Sequence, residues 1–151
     1  MMGTFADLSK SLRQQAKNIE SNASLLVRRC ATVVIEELAV RTPIDSGRAK
    51  SNWIVTLNSP TVARIEPHHF GVLGSTAPQT IKTVQARAAI VINRFKIGDT
   101  IIIQNNLDYI DDLEKGTGSK QAPAGFVHQS LARIPLVVQG TQILRYNGVS
   151  K

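Results

Sequence analysis

The chain has one cysteine, Cys30, in 151 residues. No internal disulfide can form and no cysteine metal cluster can be built, so a reducing, cytosolic folding compartment is the simplest expectation. No apolar run approaches the roughly 20 residues of a membrane-spanning helix, which argues against a membrane protein. The first residues, Met1 to Asp7, lack the cationic start and apolar stretch of a secretory signal. Lys and Arg never form a run, although the net charge is +7. The excess is spread: eight basic against five acidic residues in 1–50, five against two in 51–100, and five against four in 101–151. Such a surface tolerates a polyanion nearby but is not the concentrated basic stripe of a nucleic-acid reader. There are no internal repeats and no low-complexity segments.

What is present is one ordinary domain's worth of chain, residues 1–151, with 42% hydrophobic residues, enough for a real core. From Thr4 to Val40 no proline occurs, and apolar residues recur every seven positions: Phe5, Leu12, Ile19, Leu26, Val33 and Val40. Leu8, Ala16, Ala23 and Cys30 fill the neighbouring seam. This spacing predicts a long helix over 4–40, with Thr4 as N-cap and Asp7 in the first turn. Asn18, Ser21, Asn22 and Ser24 weaken its middle and mark Asn22 as a candidate break. Two readings of the stripe stand side by side: packing within the subunit, and packing on other subunits.

Pro43 is the stop signal, because it disfavours helical geometry at Thr42. Asp45-Ser46-Gly47 is turn chemistry. Trp53–Leu57 then reads as a strand, with Thr61–Ile65 as its hairpin partner. Glu66–Gln79 reads as a loop, Thr80–Phe95 as a second helix, Thr100–Asn105 as a buried strand, and Asp108–Lys115 as a short helix ended by Gly116. Pro123 opens a last helix carrying Phe126, Val127, Leu131 and Ile134, and Pro135 should kink or stop it. Residues 136–151 continue as helix or leave as an arm. The expected fold class is α+β, a small, mainly antiparallel sheet flanked by helices, with a long N-terminal helix.

Chemistry-bearing clusters are sparse. His68-His69 are adjacent and lack the i, i+4 spacing of a helical metal pair, so they read as loop histidines. Asp108, Asp111, Asp112 and Glu114 form an acidic cluster without the EF-hand pattern, at a helix start where acids suit the dipole. Gly116-Thr117-Gly118 with Lys120 lacks the phosphate-loop spacing, and no nucleophile elbow is present. His128 belongs to no constellation, and Cys30 reads as a small buried hydrophobe. The expectation is a non-enzymatic protein without cofactor or metal.

Two blocks carry more information. The first is Arg41-Thr42-Pro43-Ile44-Asp45-Ser46-Gly47-Arg48, ending at Ser51-Asn52-Trp53. The second runs from Ile103-Gln104-Asn105-Asn106-Leu107-Asp108-Tyr109-Ile110 through Leu113-Glu114-Lys115-Gly116-Thr117-Gly118 to Gln121-Ala122-Pro123-Ala124-Gly125-Phe126-Val127. Together they resemble the tail-component family of tailed bacteriophages, over roughly residues 30–135. Ala49 stands where family members often carry leucine. The resemblance implies a structural virion protein at the neck or tail end, a head–tail joining, completion or terminator protein made in the host cytoplasm. It implies a homo-oligomeric ring, taken as a hexamer, around the DNA path, with tail-tube and connector proteins as partners. The contact residues it suggests, with the corner chemistry of an exposed tyrosine beside polar groups, are Pro43, Asp45, Gly47, Trp53, Tyr109, Glu114, Gly116, Thr117, Gly118, Pro123 and Phe126. The alternative reading is a basic nucleic-acid-binding or assembly-factor protein.

Overall fold

A computed structural model of the chain describes residues 3–44, 47–71, 74–117 and 124–141. Eight elements follow in order: α1 (Phe5–Arg41), α2 (Arg48–Ser51), β1 (Ile54–Leu57), α3 (Ala77–Ile92), β2 (Ile101–Gln104), α4 (Ile110–Lys115), α5 (Phe126–Leu131) and α6 (Ile134–Gln139). The class is α+β, with the long N-terminal helix the sequence predicts. Its start is a full capping box. The Thr4 side chain accepts from the Asp7 backbone N–H at 3.2 Å, and the Asp7 carboxylate accepts from the Thr4 N–H at 2.9 Å. The candidate break at Asn22 is not there: α1 is continuous for 37 residues, about 55 Å at 1.5 Å each. Its polar middle supports itself, as where Gln14 donates to Asn18 one turn on at 3.1 Å. Thr42 then turns extended ahead of Pro43.

Among the described residues, only the C-terminal half of α1 has packing partners. Its buried residues Ala31, Val34, Ile35, Leu38 and Ala39 meet Val84, Ala88 and Ile92 of α3, Phe126 of α5, and Trp53 and Val55 from the sheet side. The starts of α3 and α5 lie beside the end of α1, and both chains run back along it. Arg28 donates to Phe95 O just past α3, while Arg41 and then Glu37 meet Gln129 and then Arg133. α1 therefore carries a two-sided helical layer over half its length, and no described element covers the other half.

The sheet has two antiparallel strands, with Ile54 opposite Gln104 and Leu57 opposite Ile101. The expected hairpin between Trp53–Leu57 and Thr61–Ile65 does not form. β1 takes the distant β2 instead, and 61–65 is irregular. The reason is local. Asn58 adopts a left-handed φ of 64° and ties both its side-chain ends to Asp99 and Thr100, committing the end of β1 to the start of β2.

Two helix starts are set by prolines, one of them inside the expected loop Glu66–Gln79. α3 begins at Ala77 rather than Thr80, because Pro78 fits a first turn that needs no N–H from it. Pro135 does not end a helix. The chain turns at Ala132-Arg133 and Pro135 sits in the first turn of α6. The Asp108–Lys115 helix is present as α4, closed by Gly116 at φ 76° with Thr117 N–H reaching Asp112 O at 3.0 Å. Pro123, expected to open the last helix, lies outside the described residues, where α5 starts at Phe126.

Candidate partner-binding corner

The two sequence blocks, some sixty residues apart, meet at one corner beneath the end of α1. The corner is built on Lys50. This residue is buried, and its ammonium donates to the carbonyls of Ala39 at 2.5 Å and Val40 at 2.9 Å. Those carbonyls have no helical partners, so a cation at the negative helix end satisfies both hydrogen bonding and dipole. Burial pushes the Lys50 ammonium down to about 8. Beside it the Trp53 indole N–H donates to Thr42 Oγ1 at 2.7 Å, and Thr42 Oγ1 donates to Leu38 O at 2.6 Å. Gly47 opens α2 at φ 82°, where an added Cβ would lie 3.6 Å from His69 O.

Three side-chain amides then do what a third strand would have done, and a fourth ties the two blocks together. Asn52, fully buried, donates to Arg48 O and Ile65 O and accepts from Ile65 N–H, all within 2.7–2.8 Å. Gln104 brackets Thr61, accepting from its N–H at 2.9 Å and donating to its carbonyl at 2.5 Å. Asn106 donates to Thr61 O and Ala63 O, both at 2.9 Å. Asn105 donates to Ala49 O at 2.8 Å, joining the second block directly to the first. Segment 61–65 is thus held beside the sheet by side chains rather than by a backbone ladder.

On the outer side of this corner lies an exposed cluster. Tyr109 caps the start of α4 and is exposed, and the Arg48 charge reaches its phenol. Burial of its ring raises the phenol pKa more than Arg48 lowers it. Arg64 grips Asp108 with both terminal guanidinium nitrogens, and Arg48 lies 3.8 Å from Glu66. Val62, almost fully exposed, stands on the same pinned segment. An aromatic with a polar tip, set among fixed charge pairs, is suited to protein contact.

Most of the other suggested residues that the structure describes have internal roles in the subunit. Trp53, Gly47 and Phe126 are buried. The Glu114 carboxylate accepts from Val127 N–H at 2.8 Å and His128 N–H at 3.4 Å, capping the start of α5, while Glu114 O accepts from Gly125 N–H at 2.8 Å. Gly116 approaches Ala124 so closely that an added Cβ would meet its Cβ at 3.0 Å. Pro43 is half-buried and Thr117 exposed. Asp45, Gly118 and Pro123 lie outside the described residues. Lys50, Asn52 and Gln104 were not singled out from the sequence. A lone lysine or amide in a turn carries no pattern that distinguishes a buried tether from a solvated side chain.

The remaining polar clusters are dispersed. Asp108 is paired with Arg64, Glu114 caps α5, and Asp111 and Asp112 occupy the first turn of α4. His68 faces Arg87 and His69 faces Thr83. Among the described residues no group of three or more His, Cys, Asp or Glu could hold a metal, and no helix is long and apolar enough to cross a membrane. No family model, no curated protein and no solved structure matches the chain.

Proposed function

We propose that this chain is a structural protein of a tailed-phage virion, assembled in the host cytoplasm. It would form a homo-oligomeric ring, of six copies, at the neck or tail end, where head and tail are joined or the tail is completed. The observation that carries the reading is the junction of its two tail-component-like blocks at one corner, through Asn105 and Ala49, with Tyr109 exposed on its outer side. The corner is closely hydrogen-bonded where it is buried and chemically varied where it is exposed, which is what a recurring subunit contact needs. A ring closes when one surface of a subunit meets a different surface of the next, so Tyr109 would face a neighbour's non-identical patch. The net charge of +7 suits a ring lining that tolerates DNA without reading bases. Tail-tube and connector proteins are the partners this position implies.

Cryo-electron microscopy of intact particles of the encoding phage tests the reading. Density that fits the α1–α3 pair and the corner, between portal and tail tube, is the expected outcome, and it would count the copies. Particles that lack the chain would discard the neck assignment and favour the basic nucleic-acid-binding or assembly-factor reading. In particles that contain it, Tyr109→Ala is expected to lower the yield of joined head–tail particles while the free chain stays folded.

A further inference from the structure

Among the described residues, the outer edge of β1 has no strand beside it. The Asn58 N–H donates to Thr100 O at 2.9 Å, in register with the β1–β2 ladder. Antiparallel partners exchange hydrogen bonds at every second residue, so Thr56 and Ile54 turn their backbone groups toward β2 as Asn58 does. Val55 and Leu57 turn theirs the other way. Ser59 N–H satisfies the Leu57 carbonyl at 2.8 Å. The Val55 N–H, the Val55 carbonyl and the Leu57 N–H have no hydrogen-bond partner among the described residues. Val55 is nonetheless buried, and unpaired backbone groups on a buried strand are rare because they cost free energy. The strap 61–65 does not supply the partner, because it is tied to Gln104 and Asn106 at the end of the other strand.

The same edge borders a groove. α3 packs against β1, and between them lies an apolar notch of about 170 Å³. The consecutive residues Trp53, Ile54 and Val55 line one wall, so that wall is the strand's edge, and Ala88, Ile90 and Val91 of α3 line the other. The notch exceeds what a single water needs and suits an apolar side chain. A strand edge beside a helix, with a side-chain notch between them, fits an extended peptide. Main-chain hydrogen bonds hold such a peptide, and the notch selects among its alternate side chains.

Charge identifies the peptide. Arg87 is the one charged residue among those lining the notch. It is exposed, and its hydrogen-bond partner is His68 Nε2, 3.1 Å from Nη1. Residues 67–98 hold Lys82, Arg87, Arg94 and Lys96 and no Asp or Glu. Asp99, at the far end of β1, is already held by Asn58 Nδ2 at 3.0 Å and by the Lys96 N–H at 2.9 Å. An acidic strand is attracted here and a basic one repelled. Residues 142–151 carry Arg145 and Lys151 and no acid, so charge disfavours the end of this chain, its own or a second copy's, as the occupant. A nucleic-acid backbone would match the charge but not the edge, because the Val55 carbonyl needs a donor and a phosphodiester offers none.

We propose that the groove between the outer edge of β1 and α3 takes an extended acidic segment of another protein. The segment adds as a third strand on Val55 and Leu57, sets an apolar side chain in the notch and brings a carboxylate to Arg87. The binding is a property of the free chain. Its failure would leave the neck assignment standing, and absence of the chain from particles would leave the groove standing.

The probe is a capped heptapeptide of alternating glutamate and valine, titrated into the full isotope-labelled chain. Amide shifts that saturate together at Val55, Leu57, Ile90 and Val91 are expected, with a dissociation constant below about 1 mM. Arg87→Glu changes an exposed helix position and keeps the fold. It should weaken the glutamate peptide about tenfold or more and strengthen a lysine–valine peptide. Methylating alternate backbone nitrogens of the peptide should abolish binding in one phase and spare it in the other, since only every second N–H faces the edge. The absence of saturable shifts at about 1 mM peptide, equal binding of the glutamate and lysine peptides, or equal binding of the two methylated phases would each overturn the proposal. A short DNA duplex that shifts these amides where the peptide does not would overturn it in favour of a general polyanion site. Overhauser contacts in the free chain between residues 142–151 and the Val55 amide would overturn it too, by giving the edge to the chain's own end.

Discussion

The two halves of α1 are one helix with two different fates. From Ala31 to Ala39 its buried face is covered by α3 and α5 and centres on Ile35, Leu38 and Ala39. From Phe5 to Glu20 nearly every residue is exposed, including four large apolar ones. Backbone hydrogen bonding is the same in both. The difference teaches that helix formation and core membership are separate properties of a sequence. Caps, the absence of proline and local side-chain pairs keep the helix continuous, while the phase of the apolar residues decides which surface each half serves.

The comparison breaks most sharply by mutation. Ile35→Ala removes a fully buried side chain from the α1–α3 seam and should cost about 2–5 kcal/mol. Leu12→Ala, also a large-to-small change in the same helix, should alter the unfolding free energy of the isolated subunit by less than about 0.5 kcal/mol. Urea unfolding of a dilute chain followed by Trp53 fluorescence measures both. Equal costs would mean that the projecting half is packed after all.

Next in size is the end of the buried half. Lys50 holds the Ala39 and Val40 carbonyls with an ammonium that burial pushes down to about 8 from its usual 10.5. Between those values the unfolded chain binds more protons than the folded one, so this group makes stability rise with pH from about 8 toward 10.5. The gain is on the order of 1–3 kcal/mol. Lys50→Met should abolish that rise. The measurement is the difference in unfolding free energy between the two chains, both carrying Cys30→Ser, at several pH values from 7 to 10. A constant difference would mean that the ammonium is not desolvated.

An effect of comparable size tests the corner. Asn52→Ala leaves the Ile65 N–H and carbonyl without their partner, while the Arg48 carbonyl keeps the Asn52 backbone N–H, at a cost of about 1–3 kcal/mol. Amide hydrogen exchange at Ile65 should accelerate more than exchange in β1. If both accelerated equally, segment 61–65 would be an integral part of the sheet rather than a strap tied to it.

These contrasts also show what the sequence makes legible. α1 is readable to within a residue because Thr4, Asp7 and Pro43 are local signals that act within one turn. α4 and its Gly116 close are readable for the same reason. The partner of β1 is not, because Thr61–Ile65 has the composition of a strand and only the distant Asn52, Gln104 and Asn106 amides reveal that its hydrogen bonds go elsewhere. Pro78 and Pro135 each permit a helix start or a helix stop, and tertiary packing selects the start. At the corner, Tyr109 is legible as an exposed aromatic, whereas Lys50 becomes meaningful only once the fold places it under two orphan carbonyls. The seven-residue series is visible from the outset, but only the observed burial separates its face from that of the core.

The smallest effect is confined to the bare half. Thr4 and Asp7 satisfy each other at the start of α1, where no tertiary hydrogen bond among the described residues helps. Hydrogen bonds from Thr4 hold the Asp7 carboxyl below its usual range. The contribution is therefore present at neutral pH and fades as pH falls through that lowered value. Thr4→Ala should speed amide exchange over the first turns of α1 and leave the unfolding midpoint of the subunit unchanged, because fraying there uncovers nothing that the core needs. A shifted midpoint would mean that the first turns of α1 are packed by the rest of the chain.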